Sequence, residues 1–150
     1  MCTVSDLRRL IAGFRSADRF VTEALDYRHE EGAATLNAVV TWLASIRGNG
    51  SRAEQLANLE RWASTSHASD HVALGIRGFG LGGFQYPRIL FFGANTTKPD
   101  VHICRFVGSS VEHRVSDIEA LELLEEAARE AGIVPLNLDT TIWEASARGA

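Results

Sequence analysis

Residues 74–92 read LGIRGFGLGGFQYPRILFF. A short helix over 70–75 leads into this stretch, Gly78-Phe79-Gly80 interrupts it, and a second apolar helix follows. Glycines at two positions of a hairpin allow positive φ and a close backbone approach. A helix that starts just behind them points unpaired N–H groups outward. Such a turn can cradle a phosphate through backbone hydrogen bonds and the helix dipole, with no side-chain charge. Phe79, between the glycines, is expected to pack inward and hold the two helices together. A tight helix–helix turn without a ligand satisfies the same Gly-x-Gly. Pro87 falls inside the second helix and is expected to bend it or disturb one turn.

Downstream, Gly93-Ala94-Asn95-Thr96-Thr97-Lys98-Pro99-Asp100 forms a polar loop, and Val101-His102-Ile103-Cys104-Arg105-Phe106-Val107 resumes an apolar helical run. Asp100 stands where a helix N-cap belongs. Backbone N–H groups there favour its ionised form. A plain N-cap accounts for an Asp at this position equally well.

Working outward, the rest of the chain is also helical in pattern. Thr3 to Phe14 carries Val4, Leu7, Leu10, Ile11 and Phe14 near helical spacing. Ser16 can cap a helix with Phe20, Val21, Ala24 and Leu25 on one face and Tyr27 near its end. Arg28 to Gly32 is read as a break, and Thr35 precedes an amphipathic run that ends at Gly48-Asn49-Gly50. Ser51-x-x-Glu54 and Ser116-x-x-Glu119 are capping boxes. The first opens a helix with Leu56, Leu59 and Trp62 inward. The second opens one that Gly132 stops. Pro135 suits the first turn of a last helix with Leu138, Ile142 and Trp143 apolar. Ile89 to Phe92 could pass for a buried strand, but its neighbours are helical. The expected fold is all-α: a single compact bundle of about eight short helices in one domain spanning 1–150.

Composition is that of an ordinary globular chain, with 45% hydrophobic and 23% charged residues in a length of 150, which excludes a disordered acidic chain or a collagen-like repeat. Fifteen Lys and Arg against nineteen Asp and Glu give a formal charge of −4, which excludes a globally basic DNA-coating protein. The charge is uneven: −1 over residues 1–73, +3 over 74–114 and −6 over 115–150. An anionic ligand favours the middle segment, which also holds most of the glycines. No apolar run approaches the roughly 18 residues of a membrane span. The start does not read as a signal peptide. Cys2 and Cys104 cannot build a disulfide framework. The expected setting is the cytoplasm, with no membrane association.

Together the hairpin and the Pro-Asp loop resemble the signature of the helix–hairpin–helix DNA glycosylase superfamily, of the endonuclease III type. The hairpin part stands here as Ile76-Arg77-Gly78-Phe79-Gly80-Leu81-Gly82-Gly83-Phe84. The second part stands as Pro99-Asp100-Val101-His102-Ile103-Cys104-Arg105. The hairpin spans about 70–92, and the loop and its helix about 93–108. The resemblance implies an all-α fold with a helix–hairpin–helix motif. It implies that the backbone amides of Gly78, Gly80 and Gly82 hold a phosphate of double-stranded DNA without reading sequence. It implies that Asp100 is the catalytic carboxylate, stabilising positive charge on the sugar and orienting water. The target base leaves the stack to reach it. Lyase-competent members carry a lysine where Gly82 stands. The chain also lacks the downstream four-cysteine iron–sulfur motif. The implied activity is therefore monofunctional base excision, with no cofactor and no metal.

Arg77 and Lys98 flank the two loops and, with Arg105, are candidate phosphate contacts, with ordinary solvated charges or surface ion pairs as the alternative. His102 is read as structural, bonded to a loop carbonyl, and Cys104 as a core residue. His29, His67, His71 and His113 show no metal-ligand spacing. Trp42, Trp62 and Trp143 are read as packing residues. Glu30 and Glu31 are placed in a loop. Two further readings stay open: a noncatalytic helix–hairpin–helix module that binds DNA or another protein, and an all-α structural domain whose glycine turn is coincidental.

Overall fold

The computed structural model describes residues 4–26 and 30–148. Among these the protein is all-α, with nine helices and no strand. Cys2, Tyr27, Arg28 and His29, and the side chain of Glu30, lie outside the described residues. The chain falls into two compact units: Met1–Trp62 with Leu74–Gly80, and Ala63–Ala73 with Leu81–Ala150.

The first unit contains α1 (Val4–Gly13), α2 (Ala17–Leu25), α3 (Glu30–Arg47) and most of α4 (Arg52–Thr65). Ser16 caps α2 by accepting from the Arg19 N–H, and Asp26 ends it in the left-handed region at φ 50°. Ile11, Phe20, Val21, Ala33 and Val40 form the core of this unit, with Val4, Leu7, Phe14 and Leu36 against it. Phe14 meets Phe20 edge to face at 5.4 Å, an arrangement that favours aromatic pairs beyond their buried area. Both halves of the Ser51–Glu54 capping box are made: the Ser51 N–H donates to Glu54 at 2.7 Å and the Glu54 N–H to Ser51 at 3.4 Å.

The sequence pattern misplaced some of this unit. α3 opens at Glu30 rather than after Thr35, so Glu30 and Glu31 are helical and Gly32 is no break. A glycine within a helix costs only about 1 kcal/mol, which packing of the Ala33 side overrides. Leu10, Leu25 and Leu56 are largely exposed: Leu10 is turned off the stripe carried by Ile11, and Leu25 and Leu56 lie toward the ends of α2 and α4, one turn from the buried Val21 and Leu59 of the same faces.

The second unit holds α5 (Asp70–Leu74) apart from its last residue, α6 (Leu81–Leu90), α7 (Val101–Ser110), α8 (Asp117–Ala131) and α9 (Pro135–Arg148). Its core is Ile103 and Val107 of α7, Val115, Ala120 and Leu124 of α8 and its approach, and Ile142 of α9. The Ser116–Glu119 capping box is complete, and Gly132 closes α8 at φ 68° with its N–H on the Ala128 and Arg129 carbonyls. Trp143 is half-exposed rather than packed, because its neighbour Ile142 takes the inward position. α6 runs through Pro87 to Leu90, so Ile89 and Leu90 are helical and the Gly83 carbonyl forgoes one intrahelical bond. No helix is long and apolar enough to cross a membrane among the described residues.

Candidate functional site

The hairpin residues 74–80 belong to the first unit. The Phe79 N–H donates to the Ile76 carbonyl at 3.1 Å and closes a tight turn over Arg77 and Gly78. Gly78 has φ +78°, and a Cβ there would stand 2.8 Å from Thr35 Oγ1. The turn thus uses both properties of glycine, left-handed backbone and close approach. Thr35 Oγ1 lies 2.7 Å from the Arg77 carbonyl and 2.8 Å from that of Glu31, its single proton serving both. Phe79 packs edge-on against Trp42 at 5.7 Å, and Trp42 against Trp62 at 5.0 Å. Phe79 therefore packs the turn on α3, a helix outside the pair it was expected to hold together. The Arg77 guanidinium sits 2.6 Å from Glu31 in a pair with side-chain exposures of 87% and 62%, so the pair is weak. Around Gly80 the space is open.

Gly82, Lys98, Asp100 and Arg105 belong to the second unit. Gly80 precedes α6 and has no side chain to accept from the first-turn amides of Leu81, Gly82 and Gly83, which have no partner within the helix. A Cβ on Gly82 would lie 4.0 Å from Lys98 Cγ. The Lys98 stem therefore stands at ordinary van der Waals distance from a Cβ at residue 82.

Asp100 caps α7: its Oδ1 accepts from the His102 N–H at 2.9 Å and the Ile103 N–H at 3.1 Å. Its Oδ2 lies 3.4 Å from Lys98 Nζ, each side chain being 21% exposed. Burial works against the Asp100 charge, but the two backbone bonds and the Lys98 ammonium outweigh it and hold the carboxyl below its ordinary range. Lys98 Nζ also donates to the Tyr86 hydroxyl at 2.9 Å and rests 4.4 Å from the Tyr86 ring centroid. Burial lowers the affinity of this amine for its proton, yet Tyr86 and Asp100 together raise it above the usual lysine value.

The loop before Asp100 is held by buried polar side chains. Gln85 is fully buried and donates to Thr96 Oγ1 at 2.9 Å and to the Thr97 carbonyl at 3.1 Å. Its own carbonyl accepts from Arg88 at 2.6 Å. Arg88 also donates to the Ala63 carbonyl at 2.9 Å and the Ser66 carbonyl at 2.5 Å. Burial lowers the Arg88 pKa, with Glu125 and Asp70 opposing the shift. Thr96 donates in turn to Glu125 and Thr97 to Asp139. Asp139 accepts from the Lys98 N–H as well, at 3.1 Å.

Asp100 also lines an open pocket of about 580 Å³ with Cys104, Arg105, His113, Arg114 and Asp117. Asp100 is therefore reachable, and Arg105 lines the same pocket. Arg114, which the sequence did not single out, lines the same pocket. Its signal was only its place in the net-positive segment. Cys104 is half-buried against the core, 3.6 Å from Asp117. Burial and the Asp117 charge raise its thiol pKa, so it is a poor nucleophile. His102 makes no loop-carbonyl bond at Nδ1, which is buried without a partner. Among the described residues no cluster of three or more His, Cys, Asp or Glu is placed to hold a metal ion.

The arrangement defines an all-α protein with a helix-capping carboxylate at an accessible pocket and a separate glycine turn. The chain belongs to the family described as Domain of unknown function (DUF8548), whose model matches residues 49–147. No curated protein and no solved structure matches it.

Proposed function

We propose that the protein binds double-stranded DNA and releases a damaged or modified base as a monofunctional N-glycosylase. The resemblance of the two motifs suggests this class of reaction, and the observation that carries it is Asp100, an ionised carboxylate at an accessible pocket. In the proposed step the C1′–N bond breaks with its electron pair leaving on the base, and positive charge develops on the sugar. A fixed carboxylate beside that charge stabilises it. Oδ1 is committed to two backbone amides, so Oδ2, which also pairs with Lys98 Nζ at 3.4 Å, is the oxygen assigned to the sugar and the incoming water. Water oxygen bonds to C1′ and its proton passes to solvent or to the departing base. Because the Asp100 carboxyl is held below its ordinary range, its role is electrostatic more than basic.

Duplex phosphates are assigned to the amides of Gly78, Gly80 and Gly82 and to Arg77, Lys98 and Arg105, with no sequence readout. Lys98 is the amine beside Asp100, and its raised pKa keeps it an ammonium. It therefore does not supply the nucleophile that Gly82 lacks, which supports base release without strand cleavage. No cofactor and no membrane enter this reading, and the proposed setting is the cytoplasm.

The test is incubation with duplexes carrying uracil, oxidised or alkylated bases, with and without hot alkali. Strand cleavage is expected only after alkali, and Asp100→Asn is expected to abolish it. Salt-sensitive duplex binding without base release assigns the chain to the noncatalytic helix–hairpin–helix reading instead.

A further inference from the structure

We infer that Asp139 of α9 is a positioning residue for Asp100, acting through the backbone of Thr97 and Lys98. This deepens the reading in which Asp100 is the working carboxylate, and rests on it. One oxygen of Asp139 accepts from both the Thr97 hydroxyl and the Lys98 N–H. The fully buried Gln85 donates to the Thr97 carbonyl at 3.1 Å. Residue 97 is thus held through its carbonyl and its hydroxyl, and the next amide is held with it.

Only Pro99 separates this clamp from Asp100. Proline fixes its own φ, and the Asp100 N–H donates to the Lys98 carbonyl at 2.9 Å. Little freedom remains between the clamp and the carboxylate. The same clamp sets the origin of the Lys98 side chain, whose ammonium lies 3.4 Å from Asp100 Oδ2. Releasing Asp139 frees both members of the pair together. The buried groups of this network are costly unless satisfied, and a plain N-cap at Asp100 needs none of them. Their convergence on Thr97 and Lys98, directly before Pro99, is what a positioning device requires.

The inference is tested in the full-length protein with Asp139→Leu, Asp139→Asn and Thr97→Val. Asparagine keeps a carbonyl acceptor and leucine removes it. Thr97→Val removes one of the two donors in nearly the same volume. Each variant is first checked by thermal unfolding and by its amide NMR spectrum. In folded Asp139→Leu the Asp100 carboxyl titration, followed by carbon NMR, is expected to move upward toward the ordinary aspartate range. Single-turnover base release is expected to fall about 10- to 100-fold, as for a misplaced catalytic group, and duplex affinity to fall less, by the loss of one fixed cation at Lys98. Asp139→Asn is expected to recover most of both losses, and Thr97→Val to show a smaller shift of the same sign. If Asp139→Leu fails to fold, the Thr97→Val titration decides. An unmoved Asp100 titration in a folded variant overturns the inference. Wild-type protein that releases no base overturns the glycosylase reading, while the titration still decides the clamp.

Discussion

Two glycines of the hairpin, two residues apart, carry different burdens. Gly78 is at φ +78° and a Cβ on it would meet Thr35 Oγ1 at 2.8 Å. That hydroxyl is not free to retreat, because it is bonded to the Arg77 carbonyl at 2.7 Å. Gly78→Ala therefore adds left-handed strain to a lost hydrogen bond, and is expected to cost about 1–3 kcal/mol in urea unfolding. Gly80 has no such neighbour and no positive φ. Gly80→Ala is expected to stay within about 0.5 kcal/mol of the parent. Gly80→Val is then a clean probe, since any loss of duplex affinity comes from obstruction of the ligand and not from damage to the turn. Equal destabilisation by Gly78→Ala and Gly80→Ala rejects this division of roles.

Among the elements, α8 shows how a helix start can couple to pH. Glu119 closes the capping box by accepting from the Ser116 N–H at 3.3 Å, and its other oxygen meets His113 Nε2 at 3.1 Å. His113 Nδ1 faces the Val111 carbonyl at 3.0 Å. Only the imidazolium can donate to both acceptors. The Glu119 and Val111 bonds thus raise the His113 pKa above 6.5, while His113 and the Ser116 amide lower that of Glu119 below 4.5. A raised histidine stabilises fully below its unfolded value and loses that contribution as pH rises through its folded value. A lowered glutamate stabilises above its unfolded value and loses the contribution as pH falls through its folded value. The difference in stability between the parent and Glu119→Gln is therefore expected to peak between about pH 5 and 6. It narrows on either side in urea titrations from pH 3 to 8, and a difference that keeps growing to pH 8 excludes the His113 contribution. The caps themselves were legible in the sequence, because Ser51–Glu54, Ser116–Glu119, Ser16 and Asp100 act on amides two or three residues away. The Gln85–Thr97–Asp139 clamp was not, because its partners come from three segments that no local pattern connects. Asp100 could be picked out as a cap, but not the pocket it lines, which needs the turn carrying His113 and Arg114. The extent of α3 escaped the pattern too, since a glycine and two glutamates read as a break until the packing of Ala33 is known.

For the whole molecule, the matched family region and the two compact units divide the chain differently. The family model begins at residue 49, yet the first unit takes its core from Ile11, Phe20, Val21, Ala33 and Val40. The supports of the glycine turn also precede that boundary. Thr35 holds the Arg77 carbonyl, Trp42 packs on Phe79, and Glu31 pairs with Arg77. The core of the second unit, from Ile103 to Ile142, lies wholly within the matched region. A chain cut to residues 49–150 is therefore expected to keep the dispersed methyl signals of Ile103, Leu124 and Ile142. The amides of residues 76–80 should collapse toward random-coil positions, since a turn held by three contacts to α3 loses all of them. On the proposed reading duplex binding should weaken in step, because an unfixed turn pays ordering entropy before its amides can take up the phosphate assigned to them. Loss of the Ile103 and Ile142 dispersion in the cut chain shows that the second core depends on α1–α3. Unmoved amides at 76–80 show instead that the turn holds its shape without Thr35 and Trp42.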